Sequence, residues 1–235
     1  MKFKKVRGKG FWDSEYRDAG HLAISMNPSE DLEKFTRWLE REYGKAYLNI
    51  TSSVLDLGSG NGRNLVWLAE TFGVRGVGYD ISGEAVKQSR QYAQKNNLGL
   101  TYEARSIAGA ITLPDESQSI VLDMMTSHFL KETERAFLMQ EIFRVLKPGG
   151  FLFYKTFLLD EDKHAKRMIQ ERPAEEKNTY IHPKIGVAEH VSTEDEIRTL
   201  YGTQFEIEKI YKSHRHTGRN AKRRSITVYL KKPEF

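Results

Sequence analysis

The sequence predicts an α/β fold: a doubly wound, parallel sheet with helices on both faces. Two observations support this prediction. Between residues 54 and 157, short apolar runs alternate with segments of helical period, as in sheets whose parallel strands are joined by crossover helices. The apolar runs are nearly continuous, as expected for strands covered on both faces. Ligands of such sheets bind beyond the carboxyl ends of the strands, so functional residues are expected just after each strand.

Strands and helices are expected in strict alternation through this region. The strands are predicted at residues 54–57, 76–80, 100–105, 119–125 and 151–157. The helices between them are predicted at residues 61–72, 84–96 and 132–146. Ser82 is a good N-cap for the second helix. Residues 147–150 (KPGG) are expected to stop the third helix, because proline and paired glycines do not continue a helix.

The segments on either side of this region differ in character. Residues 11–43 are aromatic and amphipathic, and they predict two helices divided near residues 27–29. Residues 160–191 are polar and irregular, with helical character at 160–171. A further helix is predicted at 193–201. Alternating apolar residues at 205–211 and 225–230 predict a hairpin with a long basic connection.

Composition excludes several classes of protein. The chain has 235 residues, 39% of them hydrophobic and 29% charged, which is typical of one ordinary globular domain. It contains no cysteine, which excludes disulfides, thiolate metal sites and a cysteine nucleophile. No apolar run approaches the roughly 20 residues that span a bilayer, so no membrane partner is expected. The acidic run at 160–162 fits a solvated helix start, so no metal is expected, and a cytoplasmic location is the default expectation.

Basic residues crowd the C-terminal part of the chain, which has a formal net charge of +5 overall. They are Lys212, Arg215, Arg219, Lys222, Arg223, Arg224, Lys231 and Lys232. One interpretation is a solvated surface that favours solubility. The other is a patch that attracts nucleic acid or an anionic substrate.

A glycine-rich loop, residues 56–62 (DLGSGNG), lies between a predicted strand and a predicted helix. Gly58, Gly60 and Gly62 permit a tight turn and the close approach of a ligand to the backbone. A dinucleotide-binding fingerprint would place its third glycine where this chain has Arg63, and the Gly-Lys-Ser/Thr of a phosphate-binding loop is absent. Asp56 would also repel a pyrophosphate. The loop is therefore suited to a different nucleotide ligand.

Asp80 stands at the end of the next predicted strand. A carboxylate at that place accepts hydrogen bonds from two ribose hydroxyls, and its separation of about 20 residues from the loop is the one expected of a nucleoside site. The simpler alternative is a charge that stabilises the N-terminus of the helix after Ser82. The loop and Asp80 together favour nucleoside binding.

Four segments resemble the successive signature segments of class I S-adenosylmethionine-dependent methyltransferases: residues 54–62, 78–80, 113–117 and 144–150. The resemblance implies a Rossmann-like, seven-stranded sheet, mostly parallel with the last strand antiparallel. It also implies S-adenosylmethionine as cofactor and S-adenosylhomocysteine as product. Residues 11–16 (FWDSEY) resemble the lead-in segment of small-molecule methyltransferases of the thiopurine and tellurite-resistance type, in which an N-terminal helix closes over the cofactor.

The resemblance also implies the parts of a single domain and the roles of residues in it. The expected parts are a helical lid (1–46), a cofactor-binding core (47–159), an acceptor-side insertion (160–192) and a C-terminal helix and hairpin (193–235). The loop glycines would approach the methionine and ribose of the cofactor, Asp56 would orient the loop and the amino group, Asp80 would bind the ribose, and Ile81 would pack on the adenine. Ser106 and Ile107 stand where the family often has an acidic residue, and would contact the adenine instead. The full expected cofactor set is Trp12, Tyr16, Asp56, Gly58, Ser59, Gly60, Gly62, Asp80, Ile81, Ser106, Ile107 and Met124.

Methyl transfer from a sulfonium depends mainly on proximity and orientation, and needs a general base only when the nucleophile carries a proton. Residues 123–129 (DMMTSHF), after the fourth strand, lack the Asn/Asp-Pro-Pro-Tyr/Phe motif that resembling enzymes use on exocyclic or glutamine amino groups. His128 can act as a base because the ordinary pKa of histidine is near neutral, or it can be a structural residue satisfied by backbone. Tyr154 and Lys155 are further candidates, and Lys155 is expected to reach the end of its strand.

Two hypotheses about the acceptor follow. A small molecule is favoured by the Trp12 and Tyr16 lid and by the lack of a dedicated recognition domain. The alternative is a methyltransferase or binding module that acts on RNA or protein through the basic connection at 214–224. A non-catalytic relative is disfavoured by the intact loop and Asp80. The sequence does not indicate the acceptor atom or an oligomeric state.

Overall fold

The computed structural model describes residues 8–18, 20, 25–213 and 223–234. Its strands are β1 (Ser53–Leu57), β2 (Arg75–Asp80), β3 (Leu100–Ala104), β4 (Gln118–Met124), β5 (Leu146–Phe157), β6 (Thr179–Ile181), β7 (Ala188–His190), β8 (Glu206–Lys212) and β9 (Ser225–Lys231). Its helices are α1 (Lys9–Arg17), α2 (Glu30–Tyr43), α3 (Arg63–Phe72), α4 (Gly83–Lys95), α5 (Glu132–Val145), α6 (Lys163–Glu171) and α7 (Glu194–Tyr201), and a 3-10 turn spans Ser127–Phe129.

Seven of the described strands form one sheet, in the order β3-β2-β1-β4-β5-β9-β8. β1 to β5 pair in parallel, and β9 pairs antiparallel with both β5 and β8. This confirms the predicted fold class, including the antiparallel hairpin. The strand order reverses at β1, which lies between β2 and β4, so the switch point where ligands bind is at the carboxyl end of β1.

The two faces of this sheet carry separate apolar cores. On one face, Phe35 of α2 packs against Phe151 and Phe153 of β5, with ring centroids 6.2 and 5.0 Å away. On the other face, α5 and α7 cover the alternate residues of the same strands. Because side chains alternate along a strand, Tyr154 points to the α5 and α7 face, whereas Lys155 shares the α2 face with Phe153.

β5 begins earlier than the sequence predicts. Helix α5 ends at Val145, and β5 continues from Leu146 through the KPGG segment, whereas the predicted start is residue 151. Gly149 adopts a φ of 76°, its N–H donates to the carbonyl of Lys232, and the pairing of β5 with β4 shifts register here. The proline and glycines thus form an irregularity within the strand instead of a turn before it.

The segment between β5 and α7 holds more regular structure than predicted. Helix α6 begins at Lys163 rather than at residue 160, because Asp162 is its N-cap and accepts a hydrogen bond from the Ala165 N–H at 2.9 Å. A small antiparallel sheet follows, in which Tyr180 of β6 pairs with Glu189 of β7. Strands of three residues show too little alternation for detection in a sequence. The predicted long connection of the C-terminal hairpin falls mostly at residues 214–222, outside the described residues.

Candidate active site

A cleft of about 470 Å³ lies at the carboxyl ends of the parallel strands, beneath α1. The ends of β2 and β3 form one side of it, and the ends of β4 and β5 form the other. Predicted cofactor residues that line it are Trp12, Tyr16, Asp56, Gly58, Ser59, Gly60, Asp80, Ile81, Ser106, Ile107 and Met124. The structure therefore brings together nearly the whole set expected from the sequence.

The three glycines of the loop adopt left-handed backbone conformations, with φ of 76°, 56° and 80°. A Cβ at Gly58 would lie 2.2 Å from the Thr126 hydroxyl, and one at Gly60 would lie 2.3 Å from the Tyr16 hydroxyl. Gly62 does not line the cleft: its role is packing, since a Cβ there would lie 2.6 Å from the Tyr102 hydroxyl. Side chains are thus excluded from the floor of the cleft by both strain and space.

The Asp80 carboxylate ties this loop to the end of β2. Its Oδ2 accepts a hydrogen bond from the Gly60 N–H and its Oδ1 accepts one from the Ser82 N–H, each at 2.8 Å. Burial raises the pKa of Asp80, and the two backbone N–H groups oppose that rise. Each carboxylate oxygen keeps acceptor capacity on the side that faces the cleft, because an ionised carboxylate accepts about four hydrogen bonds. This is the capacity that two ribose hydroxyls require.

Two buried polar atoms at the floor of the cleft have no hydrogen-bond partner among the described residues. They are Oδ2 of Asp56 and the Ser59 hydroxyl, in side chains that are almost wholly buried. Burial and the nearby Asp80 carboxylate raise the pKa of Asp56, against the opposing effect of Arg63, to about 7. Unpartnered buried polar atoms are costly, so this floor is suited to a ligand that brings its own hydrogen-bond donors, such as an amino group.

Helix α1 forms the roof and is fastened to α4. The Asp13 carboxylate accepts a hydrogen bond from the Ser82 hydroxyl at 2.8 Å, and Gln88 donates one to the Tyr16 carbonyl at 2.6 Å. Trp12 packs edge-on against Phe129, with ring centroids 5.7 Å apart. Burial, with the Asp80 charge, raises the pKa of Tyr16, which stays a neutral phenol over the glycine loop. Within the segment predicted as a lid, α1 therefore lies over the cleft, whereas α2 packs on the sheet.

The β2 and β3 side of the cleft offers an apolar slot. Ile81 is 38% exposed, and with Ile107 and Ser106 it lines this end. Arg105 also lines it and was not among the predicted site residues: its guanidinium lies 4.6 Å from the centroid of the Tyr79 ring. The slot fits a flat, apolar ring such as an adenine.

The two predicted catalytic residues do not line the cleft. His128 is 3% exposed behind Phe129, neither of its ring nitrogens has a hydrogen-bond partner among the described residues, and burial lowers its pKa to about 4. Tyr154 packs against Tyr201 on the opposite face of the sheet, and burial raises its pKa to about 12. These positions argue against a direct catalytic role for either residue. They also argue against the alternative that backbone groups form hydrogen bonds with the His128 ring.

The β4 and β5 side contains several residues that the predicted cofactor and catalytic sets omit. They are Ser29, Asn64, Met125, Thr126, Phe129, Leu130, Lys155 and Val187. Met125 has a positive φ of 62°, an uncommon conformation for a residue with a side chain, and it turns the chain at the end of β4. Among them only Lys155 carries a signal in the sequence, as a charge within an apolar strand.

Residues 54–150 match the model of a family described as a methyltransferase domain. This span contains the glycine loop, Asp80 and the slot beside it. Over this span the chain is similar to the class I S-adenosylmethionine-dependent methyltransferases. Such a domain and this fold imply S-adenosylmethionine as the cofactor, and the unpartnered polar atoms, the Asp80 carboxylate and the glycine floor fit it.

The chain is similar to enzymes with different acceptors. It is 26% identical to the glycine/sarcosine/dimethylglycine N-methyltransferase of Actinopolyspora halophila, over 57% of this chain and 24% of that enzyme. It is also 26% identical to EEF1A lysine methyltransferase 2 of Homo sapiens, over 68% of this chain and 70% of that enzyme. The chain spans 24% to 51% of the length of the first curated relatives that it matches.

A solved structure of similar fold is that of an S-adenosylmethionine-dependent methyltransferase from Methanosarcina mazei. The two superpose with a TM-score of 0.68 at 22% identity, over 80% of this chain and 95% of that chain. This likeness shows the fold. None of the helices described in this chain is both long and apolar enough to cross a membrane.

Proposed function

We propose that this protein is a methyltransferase, which transfers a methyl group from S-adenosylmethionine to a small-molecule acceptor. The observation that carries the proposal is the cleft itself: α1 roofs it, and its volume of about 470 Å³ is in the range of small-molecule sites. The N-methyltransferase of Actinopolyspora halophila, whose name records three small amino acids as acceptors, agrees with this choice.

The strand order supports an assignment of the two ends of the cleft. Asp80 ends β2, Ile81 follows it and Ser106 follows β3, which favours the adenosine at that end. Met124 ends β4 and Lys155 lies on β5, on the other side of the glycine loop, so the acceptor belongs there. When bound, S-adenosylmethionine supplies a methyl group on a positively charged sulfur and leaves as a neutral thioether.

Proximity and orientation supply most of the catalysis in this proposal. Among the described residues that line the cleft, the carboxylates are Asp56 and Asp80, both on the cofactor side, and none is a histidine. At the acceptor end, the apolar side chains of Met125, Phe129 and Leu130 exclude water and hold the acceptor in a near-attack geometry. An acceptor whose nucleophile carries no proton at neutral pH suits this end best.

The alternative of an RNA or protein acceptor bound by the basic C-terminal residues gains no support from the side chains described there. Lys212 pairs with Glu194, Arg223 with Glu189 and Lys231 with Glu234. Arg224 contacts Glu161, and Lys232 donates to the Leu146 carbonyl. These cations are used within the fold, and Arg215, Arg219 and Lys222 lie outside the described residues.

A labelling experiment separates the two acceptor classes. The purified protein is incubated with S-adenosylmethionine carrying a tritiated methyl group, together with either the small-molecule fraction or the dialysed macromolecular fraction of a cell extract. The proposal expects transfer of label only with the small-molecule fraction. Label in protein or RNA overturns the small-molecule assignment, and a failure to bind S-adenosylhomocysteine in calorimetry overturns the methyltransferase function itself.

A further inference from the structure

Lys155 is a charged residue within the buried part of a central strand. Its chain neighbours Tyr154 and Thr156 are 3% and 1% exposed, and its partner on β4 is Met124. The Lys155 side chain is 20% exposed and reaches the acceptor end of the cleft. Placing an ammonium group in such surroundings is costly unless it is paired, so its partners determine what the site offers.

The partner of Lys155 is Asp31, in the first turn of α2, with 2.6 Å between Nζ and Oδ2. The other oxygen of Asp31, Oδ1, accepts a hydrogen bond from Lys34 at 3.2 Å. Burial by itself raises the pKa of Asp31, but the two lysines lower it below its ordinary value overall. Asp31 does not line the cleft, so the member of the pair that faces a ligand is the ammonium group.

The polar groups at this end of the cleft present donors. An ammonium group has three N–H donors, and across the described residues Asp31 is the only hydrogen-bond partner of the Lys155 ammonium group. Asn64, which is 8% exposed, accepts a hydrogen bond from the Ser29 N–H with its oxygen. Within the same part of the chain, the one hydrogen-bond partner of its NH₂ group is the Met124 sulfur, at 3.5 Å. The Lys155 ammonium group and the Asn64 NH₂ group, next to Met124, can therefore both donate to an oxygen of a ligand in the cleft.

The surroundings of these donors are apolar. They are formed by Met124, Met125, Phe129, Leu130 and Val187. The charges of Lys155, Lys34 and Asp31 sum to a single positive charge. The two arginines that line the cleft among the described residues, Arg63 and Arg105, interact with Asp56 and with the Tyr79 ring instead. A phosphate dianion is usually held by bidentate arginine or by a helix N-terminus, whereas a monoanion matches one lysine.

We propose that the acceptor carries a carboxylate, and that Lys155, assisted by the Asn64 amide, binds it while an apolar part of the acceptor contacts the surrounding side chains. This inference rests on the proposed small-molecule function and names the chemical class of its substrate. Lys155 is thus a specificity-determining residue.

The test measures binding to the protein saturated with S-adenosylhomocysteine, by calorimetry. The probes are hexanoate and benzoate, each beside its amide, and hexylammonium as the probe of opposite charge. We expect a carboxylate to bind more tightly than its amide and than hexylammonium. Lys155→Met should weaken carboxylate binding at least about tenfold, the usual effect of losing a hydrogen bond to a charged group. Lys34→Met is the matched control, because Lys34 also pairs with Asp31 but lies outside the cleft, and it should leave binding unchanged.

Asp31→Asn distinguishes this proposal from its reverse, in which the pair binds an amine through Asp31. If Lys155 binds a carboxylate, Asp31→Asn keeps or tightens carboxylate binding, since a competing negative charge is removed. Loss of binding in Asp31→Asn, a preference for hexylammonium, equal binding by Lys155→Met, or no binding by either carboxylate each overturns the proposal. If Lys155→Met does not fold, the comparison of the carboxylate, amide and hexylammonium probes and the effect of Asp31→Asn still test the proposal. A protein that does not bind S-adenosylhomocysteine would instead contradict the proposed function.

Discussion

The Gly60 N–H donates a hydrogen bond to the Asp80 carboxylate, 2.8 Å away, so the glycine loop and the end of β2 form one unit. Asp80→Ala should therefore weaken the binding of S-adenosylhomocysteine at least about tenfold, because the ribose contacts and the support of the loop are lost together. Asp80→Asn keeps one side-chain oxygen, so its affinity for S-adenosylhomocysteine should lie between those of the wild type and Asp80→Ala. Calorimetry measures both, with the exposed Asp115→Asn as control. Unchanged affinity in Asp80→Ala would show that the ribose lies elsewhere.

Gly60 itself should not tolerate a side chain. Gly60→Ala places a Cβ 2.3 Å from the Tyr16 hydroxyl at a φ of 56°, so it should lower both the stability and the affinity for S-adenosylhomocysteine. The left-handed backbone alone costs about 1–2 kcal/mol. Adding Tyr16→Phe removes the clashing oxygen and should restore part of the affinity. Gly109→Ala, where a Cβ would meet nothing within 4 Å, is the matched control. A Gly60→Ala protein that binds normally would exclude the close approach of α1.

The roof over the cleft should control how long the cofactor stays. Asp13→Ala removes the hydrogen bond from Ser82 that fastens α1 to α4, and should raise the dissociation rate of S-adenosylhomocysteine roughly threefold to tenfold. Lys9→Ala removes an exposed partner of Asp13 that lies within α1 itself, and it should change this rate little. Stopped-flow measurement of ligand release compares the two. Equal rates in the wild type and Asp13→Ala would mean that α1 does not act as a lid.

Cofactor affinity should depend on pH through Asp56. Burial raises its pKa to about 7, and the amino group of the ligand prefers the ionised carboxylate. Affinity for S-adenosylhomocysteine should thus fall as pH drops below 7, approaching tenfold per pH unit for this group. Asp56→Asn should flatten the profile. Asp123→Asn, which removes another buried carboxyl of raised pKa away from the cleft, should retain it. A flat wild-type profile would contradict the contact between Asp56 and the amino group.

His128 should make the fold acid-sensitive. Its pKa is about 4 in the folded protein and near 6.5 when exposed, so the folded state disfavours the extra proton. The stability that the fold gains while His128 is neutral is fully present above pH 6.5, and it is lost as the pH falls towards 4. His128→Phe removes this loss, so its stability relative to the wild type should rise by about 2 kcal/mol between pH 8 and pH 5. Urea unfolding at both pH values measures it. A constant difference would mean that His128 is already solvated or paired.

The cofactor side of the cleft was predictable because its sequence signals are local. The loop glycines and Asp80 lie within one strand–helix–strand unit, and all but Gly62 of the predicted cofactor residues line the cleft. Gly62 was misplaced because its glycine requirement comes from the Tyr102 hydroxyl, which packs from β3 and is invisible in the loop sequence.

The acceptor side was predicted poorly for equally physical reasons. The ion pair between Lys155 and Asp31 joins residues that are 124 positions apart, so no local sequence pattern predicts it. Tyr154 and Lys155 are adjacent on β5 and point to opposite faces, and an almost wholly apolar strand does not reveal which face meets the cleft. The β6 and β7 strands, of three residues each, are too short for a periodic signal.

β9 lies between β5 and β8, although it is the last described strand along the chain. β1 pairs with β2 and β2 with β3, which are close in sequence, whereas β5 pairs with β9 from Phe157↔Ser225 to Phe151↔Lys231. Contacts that close long loops form later than local ones, and chains emerge from the ribosome N-terminus first. During synthesis the nucleoside half of the sheet can therefore assemble early, while the edge of β5 that carries Lys155 stays open until residues 225–231 arrive. The nascent chain should therefore be able to bind S-adenosylmethionine before it can bind the methyl acceptor.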